Sequence, residues 1–338
     1  MFNTKKTRKD FLIQSAVTLG ALVFPFPFTT SKSIKSMSEA GIFEVIIVGG
    51  SYAGLAAAMT LGRALRSVLI IDSGQPCNIQ TPYSHNFLTQ DGVAPAKIAE
   101  LAKNQVLNYQ SVKFRQGKAL KGYRDENVYV IELESGEKVK ARKLIFTTGV
   151  RDILPEIKGL AECWGISALH CPYCHGYEVK NQKTGILGNG DAGFEFARLI
   201  NNWTKDLILF TNGKSELTAS ETEKLNSHNI LINEREIKEI QHKNGHIEKL
   251  VFTDNAVESL HALYVRGGFS QHCEIPVELG CEITETGYIK VDEFQRTTVA
   301  GIYAAGDNTT MFRSVSAAVA AGNKAGAILN KELVDENF

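Results

Sequence analysis

The sequence predicts an α/β fold with two Rossmann-like domains. Two observations carry this: an apolar run, a glycine turn, a helical stretch and a second apolar run follow one another at residues 43–72, and again at 184–210. A third, shorter strand–turn–helix stands at 301–327. A length of 338 residues suits about two domains. The 37 Lys and Arg cancel the 37 Asp and Glu, so no basic excess exists to bind a nucleic-acid backbone. A hydrophobic fraction of 43% is enough to fill a core, which excludes a largely disordered chain.

The first unit opens with Phe43-Glu44-Val45-Ile46-Ile47-Val48, a near-continuous apolar run of the kind a buried parallel strand shows. Gly49-Gly50-Ser51-Tyr52-Ala53-Gly54 follows, then a helical stretch from Leu55 to Arg66. Val68-Leu69-Ile70-Ile71-Asp72 ends on an acid. Gly49 permits the tight turn and Gly54 the close helix–strand packing. Asp72 stands where a carboxylate takes a ribose hydroxyl, so this unit is a dinucleotide site.

The second unit has Thr184-Gly185-Ile186-Leu187, then Gly188-Asn189-Gly190-Asp191-Ala192-Gly193 with all three glycines. Helical residues Phe194–Asn201 and the strand Leu207–Phe210 follow. Aligned on the first glycines, Thr211 falls where Asp72 stands, and Asn212-Gly213-Lys214 brings no arginine for a 2′-phosphate. Gly188, Gly190 and Gly193 therefore have the shape of a nicotinamide site without its selectivity groups. Either NAD(P)H binds there weakly, or the unit is a folded relic.

Gly301-Ile302-Tyr303-Ala304-Ala305-Gly306-Asp307 is a short strand ending in Gly-Asp, before an alanine-rich helical stretch at 314–327. Asp307 can bond a ribitol hydroxyl. The helix start behind it can stabilise negative charge on a reduced flavin. Pyrophosphate-and-ribose geometry at the first turn makes that flavin FAD.

Cys171-Pro172-Tyr173-Cys174 lies between the units, flanked by His170 and His175. No second pair exists to complete a structural zinc site. Cys171–His175 also spells a c-type haem attachment, and a purely structural disulfide is open too. A redox-active dithiol fits the setting best, because the flavin motifs supply an electron partner. Cys77, Cys163, Cys273 and Cys281 read as small buried hydrophobes.

The first forty residues differ from the rest. Lys5, Lys6, Arg8 and Lys9 precede an apolar run from Phe11 to Phe28 and a polar stretch from Thr29 to Ser38, a signal-peptide layout. Pro25 and Pro27 interrupt the run before the ~20 residues a membrane span needs, so no stable insertion is expected. Thr7-Arg8-Lys9-Asp10-Phe11-Leu12 resembles a twin-arginine export signal with Lys9 as the second cation. Export to the periplasm follows if residues 1–40 are used as a signal. A cytoplasmic protein follows if translation starts at Met37.

The chain resembles the thioredoxin-reductase-like pyridine nucleotide-disulfide oxidoreductases, most closely the dithiol-oxidase branch typified by gliotoxin and holomycin biosynthesis. The resemblance covers roughly residues 43–330. It rests on the first turn, Ser84-His85-Asn86-Phe87-Leu88, Thr147-Thr148-Gly149, Cys171-Pro172-Tyr173-Cys174-His175-Gly176-Tyr177-Glu178, the second turn and Gly306-Asp307. It implies an FAD-binding domain at 41–155 and 282–338, split by an inserted NAD(P)-like domain at 156–281 that carries the cysteines, and a homodimer. FAD would lie against Gly49, Gly50, Ser51, Tyr52, Ala53, Gly54, Asp72, Thr148, Gly149, Gly306 and Asp307. Cys174 would face the flavin, and Cys171 would exchange with substrate. The reductases carry an aspartate after the second cysteine; His175 stands here, as in the dithiol oxidases, and can do the same proton work.

Three functions remain. One is an FAD-dependent dithiol oxidase using O2. The second is an NAD(P)H-dependent disulfide (thioredoxin) reductase, and the third a redox-sensing flavin module without turnover. The substrate is a small dithiol or a thioredoxin-like protein.

Overall fold

A computed structural model describes residues 41–338; the signal-like segment 1–40 lies outside the described residues. Strand β1 (Ile42–Val48), helix α1 (Tyr52–Arg63), β2 (Val68–Asp72), α2 (Pro95–Leu107) and β3 (Val112–Gln116) form successive parallel crossovers. An antiparallel meander follows in β4 (Ala119–Asp125), β5 (Val128–Leu133) and β6 (Lys138–Phe146). It returns β6 to lie parallel to β1, in the order β3-β2-β1-β6-β5-β4. Val45, Ile46 and Ile47 are fully buried, because helices cover one face and the meander the other.

The chain leaves this sheet through β7 (Val150–Ile153). It then runs through α3 (Leu160–Cys163), β8 (Ala168–Leu169), α4 (Pro172–His175), β9 (Thr184–Leu187), α5 (Gly190–Ile200), β10 (Leu207–Phe210), α6 (Ala219–Ser227) and β11 (Leu231–Asn233). A hairpin of β12 (Ile237–Lys243), β13 (His246–Phe252) and β14 (Val257–Ser259) precedes β15 (Ala262–Val265). Parallel strands make the second sheet, ordered β11-β10-β9-β15-β8. Strand β16 (Gly268–Gln271) pairs antiparallel with β7, so exit and return run side by side. Helix α7 (Ile275–Glu278), β17 (Ile302–Ala304) and α8 (Val315–Asn337) complete the chain, with β17 parallel to β6.

Several boundaries differ from the sequence expectation. Ile275 and Cys281 pack in the core under the first sheet, so the stretch after β16 belongs with that sheet and not with the insert ending at 281. Helices α1 and α5 start inside their glycine turns, at Tyr52 and Gly190 and not at Leu55 and Phe194. Helix α8 runs on past Ala327, because Leu329 and Leu333 continue its buried face against α1. That contact is close: a Cβ on Gly322 would sit 2.1 Å from the Ala53 carbonyl oxygen. Among the described residues no helix is long and apolar enough to cross a membrane.

Candidate functional site

The first glycine turn is shaped by backbone approach. Gly49 has φ +104°, and a Cβ there would lie 2.3 Å from Thr147 O. One on Gly54 would lie 2.0 Å from Gly49 O. Thr147 Oγ1 donates to Gly49 O at 2.6 Å and pins the turn to the end of β6. At the end of β2, Asp72 Oδ1 accepts from Gly50 N–H at 2.9 Å and Oδ2 from Gly74 N–H at 3.1 Å. Ser51 caps α1 without a side-chain hydrogen bond, so the first N–H groups of α1 keep no cap from that side chain. Tyr52, in the first turn of α1, points its hydroxyl at Pro95 O, 3.5 Å away, and so braces α2.

Gly306 (φ +96°) comes so close to α1 that a Cβ would meet the Ala53 side chain at 3.0 Å. This brings Asp307 beside the first turn. Asn308, fully buried, donates to Phe146 O at 3.0 Å and reaches Thr148 Oγ1 at 3.5 Å. Thr148 and Gly149 thus join Asp307 at one end of the sheet, and Gly149 faces open space. The Asp307 carboxylate has only long contacts, 3.6 Å to Arg313 Nε and 3.9 Å to Cys77 Sγ. Burial raises its pKa, against the pull of Arg313. Asn308 Oδ1 and Arg313 Nε are buried with no hydrogen-bond partner among the described residues. A helix start without a side-chain cap, an acid bonded into the turn and a second acid with spare acceptor capacity fit FAD.

Cys77 corrects an expectation. It is exposed, not a buried hydrophobe, and it opens beside Asp307. Desolvation by the surrounding protein and then the Asp307 carboxylate push its thiol up to about 11, against the pull of Arg313. Cys163 and Cys281 are buried as expected, and Cys273 is half-buried.

Cys171 and Cys174 are joined by a disulfide across the first turn of α4. Pro172 opens that helix, and Cys174 N–H donates to Cys171 Sγ at 3.2 Å. His175 follows directly, and burial lowers its pKa, with Glu178 raising it and His85 lowering it. His85 Nε2 lies 3.5 Å from Glu178 Oε1, and its Nδ1 lies 3.6 Å from Asp91 Oδ1. On the other flank His170 packs on Trp164, with ring centroids 5.8 Å apart. Desolvation on its protein side and the Arg313 guanidinium lower its pKa.

Arg313 connects these parts. Its two terminal nitrogens donate to Asp152 at 2.7 and 3.3 Å, and Trp164 Nε1 donates to the same carboxylate at 3.2 Å. A run of contacts therefore leads from Asp307 through Arg313 and Asp152 to Trp164 and His170, the residue before Cys171. Sequence reasoning missed Arg313 and Asp152, 161 residues apart, since nothing local marks either. His85 and Glu178 lie within the sequence motifs, but only the fold brings them beside His175.

The second turn stands apart, on the other sheet. Gly188 and Gly193 touch, a Cβ on Gly193 meeting Gly188 C at 2.9 Å, and Gly190 has φ +54°. Thr211 is buried and its hydroxyl donates to Gly213 O at 2.6 Å. Directly after β10, Thr211-Asn212-Gly213-Lys214 brings neither an acid at the position Asp72 holds in the first unit nor an arginine for a 2′-phosphate, so these residues do not fit a pyridine nucleotide as well as the first unit fits FAD.

Comparison with known proteins agrees with this architecture. A model of the pyridine nucleotide-disulphide oxidoreductases matches residues 43–322. Thioredoxin reductase tcpT of Claviceps purpurea is 31% identical over 309 residues, covering 88% of this chain and 96% of that protein. The crystal structure of HlmI superposes with a TM-score of 0.84 at 30% identity, over 89% of this chain and 95% of that one. An oxidoreductase from Agrobacterium tumefaciens gives 0.81 at 34%, over 87% and 99%. The fold is that of the thioredoxin reductases, and the chain belongs to the pyridine nucleotide-disulphide oxidoreductase family.

Proposed function

We propose that this protein is an FAD-dependent thiol–disulfide oxidoreductase that oxidises a dithiol, with O2 as final acceptor. The observation that carries the direction is the second turn, where Thr211 replaces the groups that would select a nicotinamide cofactor. When bound, FAD supplies a two-electron acceptor that dioxygen can regenerate, with hydrogen peroxide as product.

The chain's own residues handle thiols and protons. One substrate thiol gives its proton to His175, which burial keeps neutral at neutral pH. The resulting thiolate attacks Cys171 Sγ, breaking the Cys171–Cys174 bond and leaving Cys174 as thiolate. The second substrate thiol then attacks the substrate sulfur of the mixed disulfide and breaks its bond to Cys171; its proton passes to the Cys171 sulfur, and His175 returns the first proton to Cys174. Substrate departs as a disulfide, oxidised by two electrons, and Cys171 and Cys174 hold those electrons as dithiol. Tyr173 and Tyr177 are exposed on either side of Cys174 and offer aromatic surface to an incoming substrate. A small dithiol suits that surface; a thioredoxin-like protein is the second candidate.

Anaerobic titration tests the direction. A dithiol should bleach the flavin band and oxygen should restore it with stoichiometric peroxide, while NADPH and NADH act slowly. Rapid NADPH-selective bleaching would establish the second reading, an NAD(P)H-dependent disulfide reductase, which the intact Gly188–Gly193 packing favours. The working unit is proposed as a homodimer, which a monomer in sedimentation would overturn. Export is proposed for residues 1–40, and a native N-terminus at Met37 would overturn it.

A further inference from the structure

In a dinucleotide-binding unit the pyrophosphate rests on the free N–H groups at the start of the helix after the glycine turn. The helix dipole favours its negative charge there. Each unit of this chain can be judged by what covers that helix start.

At the start of α5 the chain's own loop lies across the position. Asn189 Oδ1 accepts from Gly190 N–H at 2.9 Å and from Glu216 N–H at 2.9 Å. Its Nδ2 donates to Lys214 O at 2.9 Å. One side chain thus ties residues 214–216 over the turn. Glu216 comes down over Gly190: its Cβ and its Oε2 each lie 3.8 Å from where a Cβ on Gly190 would be. That is the space a missing side chain leaves open for a phosphate. Two more carboxylates stand close. Asp191 occupies the first turn of α5, and Glu221 opens α6 in a capping box with Thr218, whose backbone N–H and hydroxyl both donate to its carboxylate and favour its anion.

We infer that Glu216 is a specificity-determining residue that closes the second glycine turn to pyridine nucleotides. Its carboxylate takes the place of the pyrophosphate at the helix start, and Asn189 holds the loop there. An incoming dinucleotide would have to lift the loop and meet two further negative charges. The inference rests on the shape of the second unit. It bears on the proposed direction of electron flow but is not required by it.

The test uses the full-length holoprotein and its variants Glu216→Gln and Glu216→Ala. NADH and NADPH binding is measured by equilibrium dialysis, and flavin bleaching by each is timed without oxygen. Glu216 lies outside the thiol site, so dithiol-driven bleaching should be unchanged and certifies the fold of each variant. Weak binding by wild type, tightened about tenfold or more in both variants for NADH and NADPH alike, is the expected result. If wild type binds weakly and neither variant binds tighter, this inference falls while the oxidase reading stands. If wild type already binds NADPH tightly and is rapidly bleached by it, both fall.

Discussion

Removing the Asp307 carboxylate should weaken FAD binding and, in the apoprotein, ease the fold. Its oxygens make no hydrogen bond to nitrogen: Arg313 Nε is 3.6 Å away, and the Cys77 thiol is 3.9 Å away. A ribitol hydroxyl would therefore gain a full charge-assisted bond, about 1.5–3 kcal/mol. At about 1.4 kcal/mol per tenfold, Asp307→Ala should loosen FAD by roughly ten- to a hundredfold. Asp307→Asn keeps an acceptor of the same shape and should lose less, since a neutral bond contributes about 1 kcal/mol. The apoprotein should respond in the opposite sense. Burial raises the Asp307 pKa, so the folded state holds this proton more tightly than the unfolded chain. The stability it contributes is present below the unfolded carboxylate range and is lost as pH rises through the folded pKa. At pH 7 Asp307→Asn should thus raise the apoprotein's Tm while lowering FAD affinity. FAD-to-protein absorbance ratio after dialysis and melting of both forms are the assays. An Asp307→Ala protein that keeps wild-type FAD content would refute the ligand role, and an Asp307→Asn apoprotein that melts lower would refute the burial argument.

Other variants probe the thiols and the scaffold. Cys174→Ser leaves Cys171 as a lone thiol, which should attack the oxidised, disulfide form of the substrate and release one substrate thiol, giving a mixed-disulfide adduct visible by intact-protein mass spectrometry; an adduct confined to Cys171→Ser would reverse the roles. His175, lowered by burial, should stay neutral below the ordinary imidazole range of about 6.5. Dithiol-driven oxygen uptake should therefore hold steady through neutral pH and fall only as pH drops through that lowered pKa. His175→Gln should remove this acid limb and slow uptake by about 10²–10⁴-fold; an unchanged profile would exclude His175 as the base. Gly322→Ala pushes a methyl group onto the Ala53 carbonyl, so α8 must move off α1. A loss of about 1–3 kcal/mol in denaturant unfolding, with FAD loss because Ala53 belongs to the first turn, is expected.

The parallel units were legible because strands buried on both faces read as unbroken apolar runs, as Val45–Val48 and Leu207–Phe210 do. Helix starts were not. Glycine is a poor helix former, so propensity places α1 after Gly54, whereas the contact of Gly54 with Gly49 O fixes the first turn earlier. The cysteine pair and the Asp72 and Asp307 positions lie in local patterns and could be read directly. The environment of Cys77 could not: the carboxylate beside it is 230 residues away in sequence. Arg313 and Asp152 are hidden for the same reason, since an ion pair between a helix approach and a crossing strand leaves no periodic trace.

The two glycine turns share a backbone plan and differ in what their side chains do with the helix start. In the first, the acid is set back: Asp72 accepts from the Gly50 and Gly74 N–H groups, and Ser51 adds no side-chain cap to the start of α1. In the second, the side chain inside the turn, Asn189, binds Gly190 and the loop after β10 together, and that loop delivers a carboxylate to the positive end of α5. A helix dipole can be answered by a ligand phosphate or by the protein's own carboxylate. On this reading the first unit answers it with FAD and the second with Glu216, so a single fold repeated twice yields one cofactor site. Electrons must then enter where the remaining reactive groups stand, at Cys171 and Cys174, which is why the thiol substrate becomes the donor in the proposed reaction.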